Sequence, residues 1–236
     1  MKGERTNQNR YLTCQFNITS VEMITIIVED QITLDYTSES LLSDINKNGL
    51  VIYDSEFDRH ERIAVIQMMT NRDTIYIIRI SMFNDMPEIV RSILKNQNII
   101  KIGHSLDIDE RVLMKNYGFG IEPKLDVRSI LMCLDIKIPC MGIKSNLKDL
   151  VRNLVPEISV IELSWVEKMD WNHINNKKIQ YLENDVRGVY EICSLVMGLS
   201  REIKLDWTII KSTIPRICDM FNQNIDQGSC SIFNCQ

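Results

Sequence analysis

Apolar and polar positions follow two rhythms along this chain, and the change from one to the other divides it. Alternation with a period of two marks strands, and recurrence at three and four marks helices. Residues 21–28 (Val-Glu-Met-Ile-Thr-Ile-Ile-Val) read as a strand, and 31–34 continue it after a turn. Ser38 or Ser40 then caps a short helix through Ile45, stopped by Asn48-Gly49. Residues 50–57, 62–69 and 74–80 form three successive strands; with Asn71-Arg72-Asp73 as a hairpin connection they make an antiparallel meander. After Asp85 the helical rhythm takes over. Residues 87–95 are a helix with Pro87 near its first turn, 99–103 a short apolar strand, and 107–117 a helix stopped by Gly118. Lys124-Leu125-Asp126 opens another unit, with Asp126 capping a helix to Leu134. Further helices cover 146–154 and 177–197, with Gly198 as the last stop. Three strands followed by alternating helices and strand predict an α/β layer fold, with helices packed on a mixed sheet.

The flanks differ from this body. Residues 1–18 are polar and read as a flexible lead-in to a domain spanning 19–198. In the remaining 199–236, Trp207, Ile210, Ile214, Ile217 and Phe221 recur at helical spacing and Pro215 interrupts them. That stripe either covers the core or offers a surface to a second copy or another protein; 226–236 read as a flexible tail. Composition is that of a globular chain: 236 residues, 44% hydrophobic and 25% charged. The net charge of −5 gives no bulk attraction to nucleic acid, so such a ligand would need a local basic patch or metal ions. No apolar run reaches the length of a membrane span, and the N-terminus lacks the apolar stretch of a secretory signal. The seven cysteines are scattered, without a Cys-x-x-Cys pair, as expected of reduced thiols in an intracellular protein, cytoplasmic or nuclear.

The chemistry concentrates in acids. On strand 50–57, Asp54 and Glu56 point to one face and Ser55 to the other. Like charges held that close repel, and a cation between them relieves the repulsion. Asp109 lies in His104-Ser105-Leu106-Asp107-Ile108-Asp109, just past the C-terminal end of a strand, where α/β proteins build sites. Tyr181 and Asp185 are four apart on the long helix and share a face. Singly, each has a plain alternative: Asp109 as a first-turn acid favoured by the helix dipole, Asp185 paired with Lys178 or Arg187, Tyr181 as core packing. Together, four carboxylates and a tyrosine match what two hard, oxygen-seeking cations require.

The order and spacing of these residues resemble the DEDDy family of 3'-5' exonucleases, in the style of RNase D and Werner-type exonuclease domains. The resemblance runs over about residues 20–198 through Asp54-Ser55-Glu56, the Ile66-Gln67 of the next strand, Gly103-His104-Ser105 with Asp109, and Tyr181 with Asp185. Leu125-Asp126, the helix opened by Ser145-Asn146-Leu147, and Ser164-Trp165 match secondary motifs. The resemblance implies an RNase H-like fold, helices on both faces of the sheet, and removal of nucleotides from single-stranded 3' ends of RNA or DNA. It implies two divalent ions, Mg2+ or Mn2+. Asp54, Glu56 and Asp185 would hold the one that activates water, and Asp54 with Asp109 the one at the leaving oxygen. Tyr181 would orient the water. Phe57, Gln67, His104 and Ser105 are the expected substrate contacts, with a structural hydrogen bond at the rim as the alternative for His104. Lys137, Lys144, Lys148 and Arg152 either track phosphates or form a solvated helix face. The chain departs from the family in Leu182-Glu183 after the tyrosine and in Met169-Asp170-Trp171, and the resemblance, ending near residue 198, does not extend to the helical nucleic-acid-binding domain that follows in RNase D. A catalytically silent RNA-binding or scaffold protein on the same fold is the alternative function.

Overall fold

The computed structural model describes residues 23–133 and 145–196. Its centre is an eight-residue strand, β2 (Leu50–Phe57), flanked on one side by antiparallel β3 (Ile63–Met69) and on the other by parallel β5 (Ile100–Gly103). β4 (Thr74–Ile78) extends the meander, β1 (Ile24–Val28) joins β4 in parallel, and β6 (Lys124–Asp126) joins β5 in parallel. The resulting mixed sheet has the order β1-β4-β3-β2-β5-β6.

Both faces are covered, and the alternation of β2 decides what each receives. Leu50 and Ile52 belong to a core built with α4 (Val127–Cys133), α5 (Leu147–Leu154) and α7 (Asn176–Val196). Val51 and Tyr53 belong to a second core built with α1 (Gln31–Asn48), α2 (Glu88–Lys95) and α3 (Leu106–Tyr117). Continuing the alternation puts Asp54 and Glu56 on the α7 face and Ser55 on the α3 face. Where α5 meets α7 the helices run close, and a Cβ at Gly188 would meet Val151 Cγ2 at 2.6 Å.

The expected meander is present, its first member as expected and its second and third members shorter, at Ile63–Met69 and Thr74–Ile78. The strand expected at 31–34 is instead the first turn of α1. Asp30 caps it, its carboxylate accepting from the Thr33 amide at 2.7 Å, and Leu34, Thr37, Leu41 and Ile45 form its buried stripe. That stripe buries against the sheet, which outweighs the β-branched character of Ile32 and Thr33. The expected stop holds: Gly49 takes φ 66°, and its amide donates to Ile45 O at 2.6 Å. Two elements were not expected as such. Residues 124–126 form the edge strand β6, and a short helix, α6 (Trp165–Met169), precedes α7. α6 opens with a full capping box: Ser164 accepts from the Glu167 amide and Glu167 accepts from the Ser164 amide. Its far end is tied down from both sides. Arg79, at the end of β4, pairs with Glu29 and donates to Trp171 O at 3.1 Å and Asn172 O at 2.7 Å. Lys178 donates to Asp170 O and to His173 O at 2.8 Å. The C-terminal stripe 207–221, Lys137, Lys144 and Gly198 lie outside the described residues.

Candidate metal centre

Asp54 and Glu56 occupy the C-terminal half of β2, where the strand outruns β5 and no longer has a parallel neighbour. The register slips between Glu56 and Phe57, so that Glu56 faces Val65 but Phe57 faces Ile63. Such a bulge re-aims the side chains at a strand end. Across from them, α7 lays Leu182, Val186 and Val189 against the sheet and brings Tyr181 and Asp185 to the same spot, one turn apart. The carboxylates of Asp54, Glu56 and Asp185 offer oxygen atoms that all lie within 4.8 Å of one another, and each is half-buried. Asp185 forms no ion pair among the described residues; the Lys178 ammonium is spent on backbone carbonyls.

The electrostatics are those of unrelieved repulsion. Burial, then repulsion from Asp185, pushes Glu56 up to about 7. Burial raises Asp185 to about 6, against the pull of the Tyr181 hydroxyl and of Lys168 and Lys148. Asp54, in the middle, is held well above the carboxylate range by burial and then by Asp185, Asp109 and Glu56. Burial and the same acids raise the Tyr181 phenol, which therefore stays protonated beside Glu56 and Asp185. An oxygen-only trio of this kind fits a hard divalent cation, which removes the repulsion that the carboxylates otherwise impose on one another.

Asp109 is not part of the trio. It sits on the inward face of α3, 3% exposed, and its carboxylate accepts from the Ser55 hydroxyl. Ser55 points to the opposite side of the sheet from Asp54 and Glu56, so Asp109 approaches the strand end from the α3 side. It still repels Glu56, and burial raises it to about 7.

The expected substrate contacts fall into different settings. Phe57 is half-buried at the bulge. Gln67 is directly opposite Asp54 across the strand pair but is 0% exposed, with no surface to offer a nucleotide; its amide has no partner among the described residues. His104 Nε2 lies 2.9 Å from Ser145 O, and its Nδ1 is 3.1 Å from Ser105 Oγ, which is the structural bond at the rim. Burial lowers its pKa. Ser105 takes the left-handed conformation (φ 60°), and its amide donates to Asp126 at 2.7 Å. Asp126 also accepts from the Arg128 amide at 2.9 Å, the expected cap of α4. Lys148 and Arg152 both pair with Glu162, at 3.6 and 3.2 Å.

Lys168 is the residue that sequence reading passed over. It lies on α6, its ammonium 5.1 Å from the centre of the Tyr181 ring, and its charge acts on both Glu56 and Asp185. A signal for its helix was available in Ser164-x-x-Glu167, the capping-box spacing.

A sequence profile described as 3'-5' exonuclease matches residues 26–197. The chain belongs to that 3'-5' exonuclease family. The family match covers β2 to β6, the last three residues of β1, and the helix carrying Tyr181 and Asp185. Among curated proteins, the chain is 21% identical over 218 residues to "Putative 3'-5' exonuclease R431" of Acanthamoeba polyphaga mimivirus, covering 86% of this chain and 52% of that protein. It thus spans about half the length of that curated relative. Among solved structures, Escherichia coli RNase D, an exoribonuclease involved in structured RNA processing, matches with TM-score 0.56 and 16% identity over 85% of this chain and 49% of that one. This likeness shows the RNase H-like exonuclease fold. The EXD2 exonuclease domain soaked in Mn matches with TM-score 0.46 and 18% identity, over 75% of this chain and 90% of that one.

Proposed function

We propose that the protein is a metal-dependent 3'-5' exonuclease that hydrolyses nucleotides from single-stranded 3' ends of RNA or DNA. The observation that carries this reading is the convergence of Asp54, Glu56 and Asp185 within 4.8 Å, on the face that also presents Tyr181. Membership of the exonuclease family supports it.

Asp54, Glu56 and Asp185 would hold Mg2+ or Mn2+. Bound there, the ion supplies charge neutralisation at the phosphate and a nucleophilic water at neutral pH. The chain's own part is positional. The buried β2 backbone fixes the spacing of the first two carboxylates, and packing of α7 fixes the third. Tyr181, kept protonated, donates a hydrogen bond and orients a water rather than abstracting its proton. Asp109, steadied by Ser55, is the acid on the α3 side, available to a second ion through water. A cation also answers the acidic balance of the chain, since it offsets repulsion between a carboxylate site and a polyanionic strand.

The test is a time course on 5'-labelled single-stranded RNA and DNA of one sequence, with Mg2+ or Mn2+, beside Asp54→Ala and Asp185→Ala. A ladder shortening from the 3' end and absent in both variants is the expected result. Binding that persists in EDTA, with no cleavage of either strand by folded protein, would overturn the reading and leave a silent nucleic-acid-binding or scaffold role.

A further inference from the structure

Next to three mutually repelling carboxylates stands an ammonium that neutralises none of them directly. Lys168 is half-buried on α6 and makes no ion pair among the described residues; the neighbouring Glu167 is taken by Lys177 at 2.9 Å. Its ammonium lies over the Tyr181 ring, within Coulomb range of Glu56 and Asp185. One helical turn earlier on the same face is Trp165, which is 73% exposed, whereas Trp171 at the far end of the same segment is 2% exposed. An apolar ring left in solvent beside an unpaired cation matches the two halves of a nucleotide: a base to stack and a phosphate to pair with. α6 is also held firmly, by its capping box at one end and by Arg79 and Lys178 at the other. Its two side chains are therefore presented from a fixed mount.

We infer that α6 carries a nucleotide-binding subsite beside the metal centre, with Lys168 pairing with a backbone phosphate of the substrate strand and Trp165 stacking on a base. The inference rests on the exonuclease reading. Lys168 lies over the ring that orients the water, so the phosphate it takes is the scissile one or its immediate neighbour. The subsite serves single strands, because an unpaired base is free to stack.

The test uses the full chain with Ca2+, and a fluorescein-labelled single-stranded oligonucleotide of the kind the wild type degrades. Anisotropy is followed from 50 to 300 mM salt. Lys168→Met keeps the stem against Tyr181 and removes the charge. It is expected to weaken binding about tenfold and to reduce the slope of log affinity against log salt by about 0.7, the loss of one phosphate contact. Lys168→Arg is expected to restore most of both. Trp165→Ala is expected to weaken binding by roughly tenfold with the salt slope unchanged, and Trp165→Phe to abolish most of the quenching of tryptophan emission on binding. Circular dichroism and the melting temperature confirm that each variant is folded. If the wild type cuts the strand but Lys168→Met keeps its salt slope and affinity, or Trp165→Ala binds as the wild type does, the subsite is refuted while the exonuclease reading stands. If the wild type neither cuts nor binds, both fall.

Discussion

Removing a charge from the metal centre is expected to stabilise the metal-free protein, and Glu56→Gln is the substitution that shows it. Glutamate in an unfolded chain titrates near 4.5, and burial beside Asp185 moves Glu56 up to about 7. Each pKa unit between the two states is worth about 1.36 kcal/mol. The folded protein therefore bears a cost of about 3 kcal/mol once Glu56 is ionised, trimmed to about 2 kcal/mol because the group keeps some solvent contact. The sign follows from linkage. A carboxyl whose folded pKa is raised contributes its stability below 4.5 and loses it as pH climbs through about 7. In EDTA, wild type and Glu56→Gln should then melt together near pH 4.5 and separate by pH 8, the variant melting higher by roughly 4–8 °C for about 2 kcal/mol in a chain of this size. His104, whose lowered pKa costs both proteins stability on the acid side of 6.5, cancels in the comparison. Adding Mn2+ should reverse the order, since the wild type gains a full set of ligands and the variant lacks one. Calorimetry across pH 4.5–8, with EDTA and then with Mn2+, reads both effects. A variant no more stable than wild type at pH 8 in EDTA would refute the picture of a site under internal repulsion.

Three further perturbations probe what holds the site in place. Gly103→Ala should cost about 1–3 kcal/mol in urea denaturation, because a Cβ there would run into the Tyr53 carbonyl and the Leu106 side chain, one residue from Asp54. Ser55→Ala removes the hydrogen bond that steadies the buried Asp109 carboxylate. It should cost about 1–3 kcal/mol at pH 8 and less at pH 5, where protonation of Asp109 relieves the loss; a pH-independent cost in thermal melts would count against that bond. Asp30→Ala strips the cap from α1 and should lower stability by about 1 kcal/mol without changing the rate on any nuclease substrate, measured by urea denaturation beside the labelled-strand assay.

The parts of the fold that were legible in sequence are those whose side chains settle both local conformation and burial. β2, β3 and β4 are runs of β-branched and aromatic residues, with a polar turn at Asn71-Arg72-Asp73. Gly49 and Gly118 announce helix ends because both take positive φ. The start of α1 was misread because Ile32 and Thr33 favour strands locally, while the stripe from Leu34 to Ile45 that decides the matter lies farther along. β6 is three residues long and carries no periodicity of its own; its pairing with β5 comes from the tertiary fold. In the site, alternation paired Asp54 with Glu56 and helical spacing paired Tyr181 with Asp185, while the joining of the two pairs in one centre was what the resemblance to the exonuclease motifs implied. Spacing could not tell that Gln67, although opposite Asp54, is sealed from solvent, or that Asp109 comes in from the other side of the sheet. Lys168 escaped because its importance lies in what it faces, which no local pattern encodes.

The three carboxylates of the trio are far apart in the chain: Asp54 and Glu56 are on its central strand, and Asp185 is on the last described helix. A chain emerging from synthesis therefore displays the first two long before the third exists. Two exposed carboxylates on an unpaired strand hold a divalent ion weakly, so metal has little to grip while the sheet assembles and cannot template that stage. The binding energy of such an ion would become available only when α7 docks against β2 and β3. An ion held by the trio, as proposed, would then latch the final step, favouring chains whose last helix is seated over earlier, partly built forms.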